Sequence, residues 1–155
     1  MKILMVCLGN ICRSPMAEGI VRDRIDELGL DIELDSAGTG DWHVGEAPDK
    51  RARANMKENG HDISDLRARQ FTSEDFNVFD RIYVMDQSNY DNVLRLANSE
   101  EDKAKVDLFL NLASPGSDAE VPDPYFGGES GFQHVYELLN KATDRLMQEL
   151  SDEKS

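Results

Sequence analysis

Cys7 and Arg13, separated by five residues, are the pair in this chain whose types and spacing point most directly to chemistry. They lie in Val6-Cys7-Leu8-Gly9-Asn10-Ile11-Cys12-Arg13-Ser14-Pro15. A loop that leaves a parallel strand and enters a helix turns its backbone N–H groups inward, and the helix N-terminus adds about half a positive charge, so the loop is an anion nest. Arg13 offers a planar fork for two phosphate oxygens. Gly9 lets the backbone turn where a side chain would clash. The same positive field favours the thiolate form of Cys7. Together these parts imply phosphoryl transfer to sulfur. The thiolate attacks in line, while Arg13 and the amides of Leu8, Gly9, Asn10, Ile11, Cys12, Arg13 and Ser14 hold the equatorial oxygens, with no metal or cofactor required. Ser14 is placed to hydrogen-bond the sulfur and make it a better leaving group, and Asn10 to hold the loop's shape. Taken singly, each residue has a plainer reading: a small apolar cysteine, a solvated arginine, two turn formers. Their combination between a strand and a helix sets that reading aside.

Such a reaction needs an acid to protonate the leaving oxygen and a base for the water that follows. Asp123, in Val121-Pro122-Asp123-Pro124-Tyr125-Phe126-Gly127-Gly128, is the strongest candidate, because prolines on both sides stiffen the loop that carries it. On residues alone, an ordinary Pro-Asp-Pro surface turn is an equal alternative. A nucleotide-binding P-loop is excluded, since no Gly-Lys-Ser/Thr occurs. Gly38-Thr39-Gly40 lacks the third glycine of a dinucleotide fingerprint and does not bridge a strand and a helix.

The elements that must position these residues are legible in the pattern. Residues 2–7 form an apolar run that reads as a strand buried on both faces, and 15–28 place Met16, Ile20, Val21, Ile25 and Leu28 at helical spacing. Ser14 suits the helix N-cap, Pro15 its first position and Gly29 its end. A second strand is predicted over 31–36, a Gly-rich loop with Trp42 over 37–48, and a helix over 49–59 stopped at Gly60. A strand over 81–85, a helix over 87–97, a short strand over 106–108 and a long helix over 132–150 complete the set. Strands alternating with helices predict one α/β domain: a small, twisted, four-stranded parallel sheet with helices on both faces. The phosphate-binding loop then sits between the first strand and first helix, at the strands' carboxyl ends. The division expected is a catalytic domain over 1–150 and a polar tail over 151–155.

With 31 acidic against 17 basic residues the formal charge is −14, which argues against nucleic acid as a partner. A well-solvated surface is the plain reading of that acidity; basic peptide substrates or a salty habitat are others. A phosphorylated substrate must still cross this field, so local positive potential has to dominate at the loop. No apolar run is long enough to span a membrane and the N-terminus lacks a signal-peptide pattern, so the expected location is cytoplasmic. The only cysteines, Cys7 and Cys12, share one loop, a spacing that closes almost nothing as a disulfide staple. His43, His61 and His134 are scattered, so no zinc site is expected. Two reactive thiols in a reducing compartment fit better.

The segment 6–15 taken with Asp-Pro-Tyr at 123–125 resembles the low-molecular-weight protein tyrosine phosphatases. The likeness extends through Asp35-Ser36-Ala37-Gly38, Gly45 to Asp49, Ala68-Arg69-Gln70 and Met85-Asp86-Gln87-Ser88-Asn89, nearly the whole chain. It implies Cys7 as nucleophile, Arg13 as phosphate and transition-state binder, and Asp123 as acid and base, with Asn10 and Ser14 in support. It further implies that Trp42 and Tyr125 flank a cleft and sandwich a phenyl ring, and that Asp86 helps fix the phosphate loop; a half-buried loop anchor is the plainer role for Trp42 and an ordinary helix N-cap for Asp86. Implied partners are phosphotyrosine-containing proteins, with inhibition by phosphate-like oxyanions and a monomeric or weakly self-associating chain. Two departures stand out. Some relatives carry a histidine after the serine matching Ser64 that braces the loop asparagine, and Asp65 stands here instead. Many carry two tyrosines after the Asp-Pro pair, whereas Tyr125-Phe126 leaves no second hydroxyl to phosphorylate.

The scaffold also resembles arsenate reductases, which need later cysteines, and none follows Cys12. Protein arginine phosphatases are the closer rival, but they tend to carry threonine where Ile11 stands. An apolar Ile11 beside Trp42 and Tyr125 favours an aromatic substrate. A binding module without activity would have lost Cys7, Arg13 or Asp123. Cys12 suggests a redox partner that joins Cys7 under peroxide and shields it from irreversible oxidation.

Overall fold

The computed structural model describes residues 1–154 except Phe126 and Gly128, so the tandem position at Phe126 and the terminal Ser155 lie outside the described residues. Four strands, β1 (Lys2–Cys7), β2 (Glu33–Gly38), β3 (Arg81–Val84) and β4 (Val106–Leu108), pair in parallel in the order β2-β1-β3-β4. From β1 the chain crosses first to β2 on one side and then returns to β3 on the other. The strand order therefore reverses beside β1, which opens a crevice at the carboxyl ends of β1 and β3. Val6 is in register with Val84 there, so the segments after Cys7 and after Met85 emerge side by side.

Alternation along β1 divides the core. Ile3, Met5 and Cys7 face one apolar layer with Met16, Ile20, Phe109, Phe132 and Leu139, while Leu4 and Val6 face the other with Phe71, Phe76, Ile82, Val84 and Val93. Burying rings such as Phe109 and Phe132 contributes roughly 3 kcal/mol apiece relative to exposure. On the first face lie α1 (Arg13–Leu28), α2 (Lys50–Glu58) and the long α6 (Glu129–Lys154). The other elements are α3 (Asp75–Val78), α4 (Gln87–Leu94), α5 (Glu100–Ala104) and a 3₁₀ turn at Phe109–Asn111.

The predicted strands and long helices are present within a few residues. Gly29 and Gly60 stop α1 and follow α2 with φ of 65° and 90°, the left-handed backbone expected of glycine there. Three features differ. Helix α1 begins at Arg13 with Cys12 at the N-cap, so Ser14 is inside the helix and caps nothing. The short α3 and α5 lie in stretches too brief for periodicity to show. Residues 151–154, expected as a tail, continue α6, where Arg81 pairs with Glu149 at 3.3 Å and also with Glu153. Among the described residues no helix is long and apolar enough to cross a membrane.

Candidate active site

Cys7 is the last residue of β1, with its side chain on the α1 face and 2% exposed. Its sulfur makes two hydrogen bonds: it accepts one from the backbone N–H of Asn10 at 3.3 Å and shares the other with the Ser14 hydroxyl at 3.0 Å. The first requires the chain to double back within three residues, and Asn10 does so with φ of 56°, a left-handed conformation that asparagine tolerates. The second explains why Ser14 is not a cap. Its hydroxyl is turned back from the first turn of α1 onto the sulfur.

Asn10 is the centre of a buried polar network. Its Nδ2 donates to Ser14 Oγ at 2.8 Å and Ser36 Oγ at 2.9 Å, and its Oδ1 accepts from the Arg69 backbone N–H at 3.0 Å. Ser36 in turn donates to Glu18 Oε1 at 2.6 Å. Burial pushes the Glu18 carboxyl up to about 7, with the Ser36 hydrogen bond opposing the shift. Residue 65 takes no part in this bracing, because Asp65 pairs with Arg22 at the surface, 3.2 Å away. Ser36, Glu18 and Arg69 thus hold the loop without a histidine. None of the three was singled out from sequence for this role. The available signal was Glu18, one turn after Ser14 on the same helix face and surrounded by apolar positions.

Arg13 is 2% exposed and leaves the first turn of α1 toward the crevice. Its Nη1 donates to Asp86 Oδ2 at 2.6 Å and to the Val121 carbonyl at 3.1 Å, and its Nη2 lies 3.7 Å from Asp123 Oδ2. Burial opposes its charge, but the Cys7 sulfur and Asp86 outweigh that and push its pKa up. Asp86 makes two contacts at once: Oδ2 accepts from Arg13, and Oδ1 accepts the Asn89 N–H at 2.8 Å as the N-cap of α4.

A cleft of about 180 Å³ is lined by Cys7, Leu8, Gly9, Ile11, Cys12, Arg13, Trp42, His43, Asp123 and Tyr125. Every predicted cleft and catalytic residue is therefore brought together, and His43 is added to them. Trp42 is 69% exposed and Tyr125 38%, two aromatic faces standing at the mouth, while Ile11 is buried beneath. Cys12 is buried in the same wall, and burial raises its pKa far above a free thiol's, with Asp49 and Cys7 adding to the shift. Gly9 has no left-handed backbone; a side chain there would meet His43 at 3.1 Å. The stricter glycine is Gly38, where a Cβ would stand 2.8 Å from Leu8 O and 3.1 Å from Asn10 N.

Comparison with known proteins agrees with this geometry. The sequence profile of the family described as low molecular weight phosphotyrosine protein phosphatase matches residues 2–155. The chain is 46% identical over 138 residues to the low molecular weight phosphotyrosine protein phosphatase of Schizosaccharomyces pombe, covering 87% of each. Its fold is similar to a crystal structure of a protein tyrosine phosphatase from Entamoeba histolytica, with a TM-score of 0.92, 39% identity, and coverage of 100% of this chain and 99% of that one. It is also similar to a Drosophila arginine phosphatase, with a TM-score of 0.89, 33% identity, and coverage of 96% and 97%.

Proposed function

Because the chain belongs to the low molecular weight phosphotyrosine protein phosphatase family, a family of cysteine-based phosphatases, we propose that Cys7, Arg13 and Asp123 hydrolyse phosphotyrosine on phosphoproteins through a phosphocysteine intermediate. In the first step the Cys7 thiolate attacks phosphorus and the P–O bond to the phenol breaks. Asp123, protonated, gives its proton to the departing oxygen. Arg13 turns its fork to two equatorial oxygens and the loop amides take the rest. In the second step water attacks phosphorus, Asp123 takes its proton, and the P–S bond breaks to return the thiolate. The Ser14 hydroxyl stabilises the sulfur as it leaves.

The observation that carries this reading is the Cys7 sulfur held by Ser14 and Asn10 at the floor of a cleft whose walls are Arg13 and Asp123. Ile11, Trp42 and Tyr125 favour an aromatic ester over phosphoarginine, since they offer apolar faces and Ile11 has no hydroxyl to accept a guanidinium. Oxyanions shaped like phosphate are expected to compete for the loop. A cytoplasmic location and a monomeric or weakly associating chain remain part of the proposal, as does Cys12 as redox partner of Cys7. The test is a panel of phosphotyrosine, phosphoserine and phosphoarginine peptides with wild type, Cys7→Ser and Asp123→Ala. Phosphotyrosine should be preferred and Cys7→Ser inactive. A preference for phosphoarginine would overturn the substrate, and an active Cys7→Ser the mechanism.

A further inference from the structure

Among the described residues of segment 121–127, which carries Asp123, backbone atoms at both ends are tied to the rest of the molecule. At its start, Val121 N–H donates to Met85 O at 2.8 Å and Val121 O accepts from Arg13. At its far end the Arg51 side chain holds two carbonyls. Arg51 Nη2 donates to Tyr125 O at 2.8 Å and Nη1 to Gly127 O at 3.2 Å. The same guanidinium is itself fixed: Nε and Nη2 fork onto Asp49 at 3.1 and 3.2 Å, and its carbon lies 5.5 Å from the Tyr125 ring centre and 4.9 Å from that of Phe132. Asp49 is tied to the phosphate loop, its N–H donating to Ile11 O at 2.7 Å. Hydrogen bonds from Arg51 outweigh the effect of burial and hold the Asp49 carboxyl below its ordinary range, so this fork stays charged.

These contacts form one continuous path: Ile11 in the phosphate loop, Asp49 at the N-cap of α2, Arg51, then the carbonyls two and four residues beyond Asp123. We infer that Arg51 is a positioning residue that clamps the Asp123 segment over the phosphate loop, setting the distance between the acid and the phosphorus. The inference rests on the proposed role of Asp123. A planar guanidinium is suited to this, because it can present donors to a carboxylate on one edge and to backbone carbonyls on another. A lysine has the charge but not the fork. Arg51 does not line the cleft, so its effect on the reaction runs through the segment it holds.

The step most sensitive to acid placement is cleavage of the P–O bond, which kcat/KM reports. The experiment measures kcat/KM for p-nitrophenyl phosphate, whose leaving group departs easily, and phenyl phosphate, whose leaving group needs the proton. It uses wild type, Arg51→Ala, Arg51→Lys, Asp123→Ala and the Arg51→Ala/Asp123→Ala double variant. With Arg51→Ala, phenyl phosphate should lose about 10- to 100-fold, the scale of a small misplacement of a catalytic group, and p-nitrophenyl phosphate much less. Arg51→Lys should recover little, and the double variant should be no worse than Asp123→Ala. Inhibition by inorganic phosphate should be unchanged, which separates a displaced acid from a damaged loop. An equal loss on both substrates, full recovery with lysine, or a further loss in the double variant would overturn the clamp. If Asp123→Ala spares phenyl phosphate while Arg51→Ala does not, the acid assignment falls and the clamp stands for another group on the segment. If only Asp123→Ala penalises it, the clamp alone falls.

Discussion

Asp86 holds the guanidinium of Arg13 at 2.6 Å with one carboxylate oxygen while its other oxygen caps α4. One side chain at the end of β3 thus joins the phosphate loop to the neighbouring helix across the strand-order reversal. Asp86→Ala should unfold at lower denaturant, by about 3 kcal/mol, because it takes the nearest carboxylate from a buried arginine and removes a cap. Asp86→Asn should keep the cap and lose the charge. It should recover part of the stability, yet bind phosphate more weakly than wild type because Arg13 is no longer aimed. Chemical denaturation and phosphate inhibition measure the two effects separately.

The Ser14 hydroxyl is expected to matter most when sulfur leaves phosphorus. A charge-assisted hydrogen bond of about 2 kcal/mol corresponds to a loss of roughly 10- to 100-fold in kcat for Ser14→Ala. The phosphocysteine should then accumulate, visible as a burst of phenol release before the steady state. A fall in kcat with no burst would place the serine's effect elsewhere.

Glu18 binds its proton more tightly in the fold than in the unfolded chain. Its contribution is therefore favourable below about pH 4.5 and is lost as pH rises through about 7. Glu18→Gln keeps an acceptor for Ser36 and has no charge to bury. At pH 8 it should be more stable than wild type by an amount on the order of 3 kcal/mol or less, with the difference vanishing near pH 4.5. Urea melts across that range are the measurement, and parallel pH curves for the two proteins would refute the prediction.

Much of this was legible from residue order. The run 2–7, the spacing of Cys7 and Arg13, Gly29 and Gly60 are local signals, and locality is what a sequence displays. Ser14 suits two roles on its residues, a cap from its place before Pro15 and a bond to the Cys7 sulfur, and the fold keeps only the second. Glu18, Ser36, Arg69 and Arg51 act on groups brought close only by the sheet and its crossovers. A glutamate or arginine in a helix otherwise looks like part of a solvated face. His43 lay in a Gly-rich stretch with no periodicity to orient it.

Cys12 offers a test of the redox proposal. Peroxide converts the Cys7 thiolate to a sulfenic acid, releasing hydroxide; the Cys12 thiol then displaces that oxygen as water, leaving a disulfide that added thiol reduces. Wild type should regain its activity after peroxide and then thiol, whereas Cys12→Ser should keep a permanent loss from further oxidation. Equal recovery would remove the protective role.

Gly38 has a wider consequence. The phosphate loop lies directly on its bare Cα, and the next two amides, Thr39 and Gly40, donate to Cys7 O and Leu8 O at 2.9 Å. The loop's shape is thus inherited from a neighbouring strand rather than induced by an arriving ligand. The conformational entropy of ordering the loop is lost when the chain folds, so on the proposed function phosphate should meet a mould already cast.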